Sequence, residues 1–168
     1  EEQVLDDLVS GLDDDGWNTK TAADGWTVRH TIGHLVSSEE MAAVAAADPD
    51  AFADFIAGVM ERLDEFNSGL PPDLVPLSNT ELLERWRERR QITIDAVRAK
   101  GPDERIPWAG PSMKGRAFLT ARLMETWSHG RDVFDGRDTA APTTGRLRHI
   151  AHLGVVTRDF AYASRGQA

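Results

Sequence analysis

Apolar side chains recur at helical spacing along almost the whole chain. The first such series is Val4, Leu5, Leu8, Val9 and Leu12. An Asp-Asp-Asp-Gly cluster at 13–16 ends this predicted helix, and a loop follows it. A second helix is predicted from Thr27, whose hydroxyl suits an N-cap, through an alanine-rich segment to about Asp48. No segment shows the period-two alternation of a half-buried strand, so helices dominate the prediction.

Glycine and proline divide the rest of the chain into further helical segments. Three of the predicted helices cover 51–66, 113–134 and 145–163. Between the first two, another helix is predicted to start at an N-cap on Ser78 or Thr80. The charge run at 84–90 is interpreted as the solvated face of its helix, and an irregular loop is predicted at 106–112. Helices with apolar stripes are buried most economically against one another. The pattern therefore predicts an all-α protein, with one domain over 1–168 built as a four-helix bundle with additional short helices.

Composition and charge exclude several classes of protein. The chain has 168 residues, of which 40% are hydrophobic and 28% charged, as in an ordinary folded domain. Its 28 acidic and 19 basic residues give a net charge of −9, which opposes binding to nucleic acid or to an anionic membrane. No stretch approaches the roughly 20 apolar residues of a membrane span. The first residues show no signal peptide, so we expect a cytoplasmic protein. We also expect a small-molecule substrate, and the sequence leaves open whether the protein forms a homodimer.

The absence of cysteine restricts the chemistry of any site. Disulfides, zinc fingers, iron–sulfur clusters and a cysteine nucleophile are all excluded. A metal ion must therefore be held by nitrogen and oxygen, and the five histidines become the candidates to follow. His149 and His152 on the last predicted helix have no acidic partner on the same stripe, so we interpret them as structural.

Three residues on two predicted helices form a candidate metal site. Glu125 and His129 are four residues apart and share one helix face, so they either chelate a metal ion or form a surface pair. His34 lies among apolar residues and is either a core histidine or a third ligand. Two histidines and one carboxylate with open positions suit a catalytic zinc ion or a non-haem iron(II) centre. The expected cofactor is thus a divalent metal, zinc first, with iron or nickel as alternatives.

Two neighbours are candidate catalytic residues. His30 precedes His34 by four residues and is a fourth ligand, an acid or base at the mouth of the site, or an exposed residue. Arg122 lies one turn before Glu125, where it would bind a substrate carboxylate or pair with Glu125. The sequence has no HExxH motif, Gly-rich phosphate loop or G-x-S-x-G elbow, so those enzyme classes receive no support.

Two sequence motifs carry a resemblance to a known family. They are Gly-Trp-Thr-Val-Arg at 25–29, which leads into His34-Leu35, and Arg-Leu-Met-Glu-Thr-Trp-Ser-His-Gly-Arg-Asp-Val at 122–133. Together they resemble the DinB-like metal-binding superfamily, in particular the actinobacterial branch that includes mycothiol-dependent maleylpyruvate isomerase. The resemblance extends over nearly the whole chain. It implies a four-helix bundle in which His34, Glu125 and His129 hold a divalent metal, often zinc, at one end.

The resemblance also implies a reaction class. Such proteins often use a low-molecular-weight thiol, mycothiol or bacillithiol, for isomerisation or S-transfer. We expect a metal-dependent enzyme of this type, with mycothiol as cosubstrate and with Arg122 or His30 orienting or protonating a small electrophile. The alternatives are a thiol-independent hydrolase, lyase or cyclase of secondary metabolism, or a non-enzymatic metal- or ligand-binding module. The resemblance is to the N-terminal domain of isomerase-type members, in which an additional C-terminal domain contributes to the active site.

Overall fold

The computed structural model describes residues 1–167, which form nine helices and one short hairpin. The helices are α1 (Glu2–Val9), α2 (Asp14–Trp17), α3 (Val28–Ala47), α4 (Phe52–Glu61), α5 (Leu63–Asn67), α6 (Asn79–Lys100), α7 (Gly115–Gly136), α8 (Leu147–Val156) and α9 (Arg158–Ala163). The strands β1 (Arg105–Ile106) and β2 (Met113–Lys114) pair antiparallel. The prediction of an all-α bundle with additional short helices is confirmed. Nowhere within 1–167 is there a helix both long and apolar enough to cross a lipid bilayer.

Side-chain caps start two of the three long helices. Thr27 is the N-cap of α3, where its side chain and that of His30 form a capping box. Ser78, rather than Thr80, is the N-cap of α6, and it exchanges hydrogen bonds with Glu81 in a second box. Each box satisfies backbone N–H groups that have no partner inside the helix. These local signals explain why the predicted starts of both helices are correct.

The long helices α3, α6 and α7 enclose two apolar clusters. The first cluster includes Leu5, Val9, Val28, Ile32, Leu35, Leu82, Trp86 and Val133. The second includes Met41, Ala42, Ala45, Phe52, Val97, Ile106 and Phe118. Helix α3 contributes to both clusters and packs most extensively on α6. Because α3 is buried along most of its length, polar residues on it lie inside the bundle and must find partners there.

Several predicted boundaries are wrong. The segment 51–66 is divided into α4 and α5 at Arg62, whose backbone is non-helical with φ −123° and ψ 37°. The segment predicted as one helix over 145–163 is divided into α8 and α9 at Thr157. Leu153 is the one buried residue of α8. The loop predicted at 106–112 joins the two strands of the hairpin, and β2 occupies the first two residues of the helix predicted at 113–134. Each strand has two residues and is too short to show alternation. The acidic cluster at 13–16 does not end α1, which stops at Val9, but begins the separate short helix α2 with Asp13 as its N-cap.

The charge run at 84–90 is not a solvated face. The four arginines of the run form ion pairs with acidic residues of neighbouring helices. The pairs are Arg85 and Arg89 with Glu40 of α3, and Arg87 and Arg90 with Asp6 of α1. Only Glu84 and Glu88 are exposed. The interpretation fails because α6 has charged residues of both α1 and α3 beside it, which one-dimensional periodicity does not reveal.

Candidate metal centre

The structure brings the three predicted ligands together across the interface of α3 and α7. His34 Nε2 lies 3.0 Å from Glu125 Oε1, and His129 Nε2 lies 3.6 Å from the same oxygen. The three donor atoms all lie within 4.8 Å of one another. Ligand atoms of a tetrahedral zinc ion with bonds of about 2.0–2.2 Å are roughly 3.3–3.6 Å apart. The spacing of the three side chains is therefore suited to one ion.

The protonation states of the donors fit a metal ion as well. Burial opposes ionisation of Glu125, but the hydrogen bond from His34 and the charge of Arg122 outweigh it and lower the pKa of this carboxyl to about 2. Burial, followed by the charge of His34, lowers the pKa of His129 from its ordinary value. An ionised carboxylate and a neutral imidazole are the forms that bind divalent metals. Both shifts in pKa favour those forms.

Aromatic rings cover the two histidines. The Trp26 ring lies 5.1 Å from the His34 ring and 5.6 Å from the His129 ring, measured between centroids. Phe66 of α5 approaches His34 edge-on at 5.8 Å. The loop that carries Trp26 is held by a backbone hydrogen bond from Thr21 to the Trp26 carbonyl. Contacts with these rings restrict the rotation of the imidazoles.

Two glycines allow the segment after α5 to pack against this site. A Cβ atom on Gly33 would lie 2.6 Å from the carbonyl oxygen of Gly69. Gly69 itself has φ +82°, a left-handed conformation that favours glycine, and a Cβ there would lie 2.8 Å from the Trp26 ring. The close approach of these two backbones keeps the end of α5, with Phe66, beside His34.

Arg122 lies inside the bundle rather than at the surface of the site. Its side chain is only 5% exposed, and its Nε donates a hydrogen bond of 2.9 Å to Glu39 Oε1. Its Nη2 donates to Ser38 Oγ at 2.7 Å, and Ser38 Oγ lies 3.4 Å from Glu125 Oε1. Thr93 of α6 donates to the other oxygen of Glu39. This placement is compatible with the predicted role of Arg122 as a partner of Glu125, which its guanidinium reaches through Ser38, while the binding of a substrate carboxylate stays a prediction.

Sequence reasoning missed Ser38 and Glu39. They follow His34 by four and five residues on α3, and both are almost fully buried. A signal was available, because Glu39 is an acidic residue in a helix whose other buried positions are mostly apolar. A buried carboxylate requires a charged or hydrogen-bonding partner.

The His30 side chain takes part in the N-terminal cap of α3. Its Nδ1 lies 2.8 Å from the Thr27 hydroxyl, as part of the capping box. It is not a member of the three-residue donor cluster that the described residues form. His149 and His152 are exposed on α8.

Comparison with known proteins identifies the family. Residues 1–134 match the profile of the mycothiol maleylpyruvate isomerase N-terminal domain. Because this match covers most of the chain, the protein belongs to that family, which is the DinB-like branch that the sequence motifs indicated. Two relatives are uncharacterized proteins of Mycobacterium tuberculosis, one from strain CDC 1551 / Oshkosh and one from strain ATCC 25618 / H37Rv.

Each relative is 40% identical to the chain over 162 residues, which are 96% of this chain and 63% of the relative. The chain therefore spans less than two thirds of the length of the curated relatives it matches. No solved structure gives a significant match.

Proposed function

We propose that this chain is a metal-dependent enzyme that uses an external low-molecular-weight thiol of the mycothiol type. The metal would be held by His34, Glu125 and His129, and zinc suits two imidazoles and a carboxylate. The reaction would be S-transfer to, or isomerisation of, a small electrophilic substrate. The observation that carries this proposal is the donor cluster of these three residues in a chain of this family.

The surrounding residues have supporting roles. Asp132 lies 3.5 Å from Nδ1 of His129 and would help to orient that imidazole with its other nitrogen toward Glu125. Trp26 and Phe66 would keep bulk water from the His34 imidazole. A divalent cation bound between these side chains would favour the thiolate form of a coordinated thiol at neutral pH.

The sulfur atom must come from outside the chain because the protein has no cysteine. In the proposed reaction the thiol sulfur forms a bond to an electrophilic carbon of an unsaturated acid or an epoxide. A transferase retains this C–S bond, and the thiol proton passes to the neighbouring carbon or oxygen of the substrate. An isomerase breaks the same bond after rotation about the former double bond, which regenerates the thiol.

Isothermal titration of the zinc-loaded protein with mycothiol tests the proposal. We expect saturable binding at about one thiol per zinc ion. The His34→Ala variant should lose both zinc and thiol binding, whereas His152→Ala, at an exposed histidine of α8, should retain both. Circular dichroism of each variant checks the fold. No binding of mycothiol to wild-type protein of verified zinc content would overturn the proposal.

Two other results would assign a different function to the same site. Turnover of a substrate without any thiol, abolished by His34→Ala, would indicate a metal-dependent hydrolase, lyase or cyclase. X-ray absorption that shows the metal fully coordinated by protein atoms, with no exchangeable position, would indicate a non-enzymatic binding module.

A further inference from the structure

Behind Glu125, three side chains form a buried hydrogen-bond chain. As whole residues, backbone included, Ser38, Glu39 and Arg122 are exposed by only 3%, 1% and 4%. The chain runs from Glu39 through Arg122 and Ser38 to Glu125 Oε1, with successive distances of 2.9, 2.7 and 3.4 Å. We propose that Ser38, held by the Arg122–Glu39 pair, is a positioning residue that orients the Glu125 carboxylate for metal binding. This inference rests on the metal centre of the proposed function.

The direction of the hydrogen bonds follows from the chemistry of the groups. A guanidinium can only donate, so the Ser38 hydroxyl must accept the hydrogen bond from Arg122. The single hydroxyl proton of Ser38 is then directed to the other acceptor within reach, Glu125 Oε1. A serine without the guanidinium beside it would be free to rotate. The arginine therefore determines where the serine proton points.

Metal binding makes this proton more important. His34 Nε2 lies 3.0 Å from Glu125 Oε1 and can donate to it when this nitrogen carries a proton. A histidine nitrogen that binds a metal must be deprotonated, so it no longer donates. Among the described residues, the Ser38 hydroxyl is the remaining side-chain donor to Glu125. Its hydrogen bond would hold the carboxylate while both imidazoles serve as ligands.

The Arg122–Glu39 pair keeps this arrangement in place. Thr93 donates to Glu39 Oε2 at 3.2 Å while Arg122 occupies Oε1, so both carboxylate oxygens have a partner. Ser38 and Glu39 lie on the helix that carries His34, and Arg122 lies on the helix that carries Glu125. The same chain of contacts therefore fixes the two ligand-bearing helices against each other and orients the carboxylate between them.

A merely structural role and a positioning role predict different results for Ser38. Replacing Ser38 by alanine removes the link to Glu125 but leaves the ion pair between Arg122 and Glu39 intact. Ser37 provides the matched control. It is a buried serine of the same helix, and among residues 1–167 its hydroxyl bonds only to the carbonyl of Gly33, at 3.2 Å. Alanine is well tolerated in a helix interior at both positions.

The experiment is a zinc competition titration against a chromophoric chelator with wild-type protein, Ser38→Ala, Ser37→Ala and Ser38→Thr. Loss of a group that supports a metal ligand commonly weakens metal affinity by about 10- to 100-fold, and we expect a loss of that size in Ser38→Ala. Ser37→Ala and Ser38→Thr, which retain the hydroxyl at position 38, should bind zinc as wild type does. Cobalt-substituted Ser38→Ala should also show altered visible absorption, because the geometry of the carboxylate ligand changes.

Thermal unfolding in the presence of a chelator separates fold from metal binding. Equal zinc affinity of folded Ser38→Ala and Ser37→Ala would overturn the inference while leaving the proposed metal centre intact. Ser38→Thr keeps the inference testable if Ser38→Ala does not fold. A loss of zinc affinity in folded Ser38→Thr as large as the loss expected for Ser38→Ala would also overturn the inference. Absence of zinc binding in the wild-type protein would instead overturn the proposed function.

Discussion

His34 Nε2 and Glu125 Oε1 lie 3.0 Å apart, although 91 residues separate them in the chain. The contact joins the N-terminal half of α3 to the middle of α7. It brings a histidine from one helix to the carboxylate of a second helix, which also carries His129 one turn further on.

Replacing Glu125 by glutamine should reduce zinc binding without a change in shape. The amide is isosteric with the carboxylate but lacks its negative charge, which divalent cations need. After dialysis against zinc and removal of the excess, elemental analysis should find about one zinc per wild-type chain and much less in Glu125→Gln. Glu84→Gln, at an exposed position of α6, serves as the control and should retain zinc. Equal zinc contents in the two variants would contradict the assignment of Glu125 as a ligand.

Zinc should stabilise the folded protein. A ligand at about 100 times its dissociation constant that binds only the native state adds about 2.7 kcal/mol to the free energy of unfolding. For a chain of this length, each kcal/mol corresponds to a rise in Tm of roughly 2–4 °C, so the expected rise is about 5–11 °C. Differential scanning fluorimetry with zinc, and then with a chelator added, measures it. The His129→Ala variant should show no rise, and a rise of wild-type size in that variant would argue against the site.

Replacing Gly33 by alanine should destabilise the protein. The added Cβ would lie 2.6 Å from the Gly69 carbonyl oxygen, so the backbone beside α3 must move. Overpacking of this kind typically costs about 1–3 kcal/mol. Gly58→Ala is the control, because that glycine lies in α4 and no atom of the described part of the chain lies within 4 Å of an added Cβ. The control should be neutral or more stable by up to about 1 kcal/mol, since alanine is the better helix former. Urea unfolding of both variants measures the difference, and equal stability would show that the segment after α5 adapts freely.

The ion pair of Asp6 should make stability depend on pH. The hydrogen bond from Arg87 lowers the pKa of Asp6 against the effect of burial, and the charges of Arg87 and Arg90 add to the lowering. Because the folded-state pKa is below the unfolded value of about 3.9, the contribution is complete above that pH and is lost as the pH falls through the folded-state pKa. Asp6→Asn should therefore be less stable than wild type at pH 7, and the difference should shrink below about pH 4.

The expected difference at pH 7 is about 1–2 kcal/mol, less than for a fully buried pair, because the side chain of Arg87 is 41% exposed and screened by solvent. Urea unfolding of both proteins between pH 3 and pH 7 measures it. A difference that does not change with pH would indicate that Asp6 acts through packing rather than through its charge.

Local chemistry allowed much of the fold to be predicted. The caps at Thr27 and Ser78 and the apolar stripes of α3, α6 and α7 depend on neighbours within one or two helical turns, so they are visible in the sequence. The spacing of Glu125 and His129 is of the same kind. Boundaries inside the weaker segments were not predictable, because the breaks at Arg62 and Thr157 carry no glycine or proline signal.

The sequence by itself determined the three long helices and which side chains can bind a metal, because helix periodicity and donor chemistry are properties of short segments. Tertiary structure alone decided which residues meet. It paired Arg122 with Glu39, assigned the arginines of 84–90 to acidic residues on other helices, and brought Trp26 over His34. Such partners are far apart in the chain, and their contact depends on how whole helices pack. A buried charge needs a partner, but only the packing determines which one lies within reach.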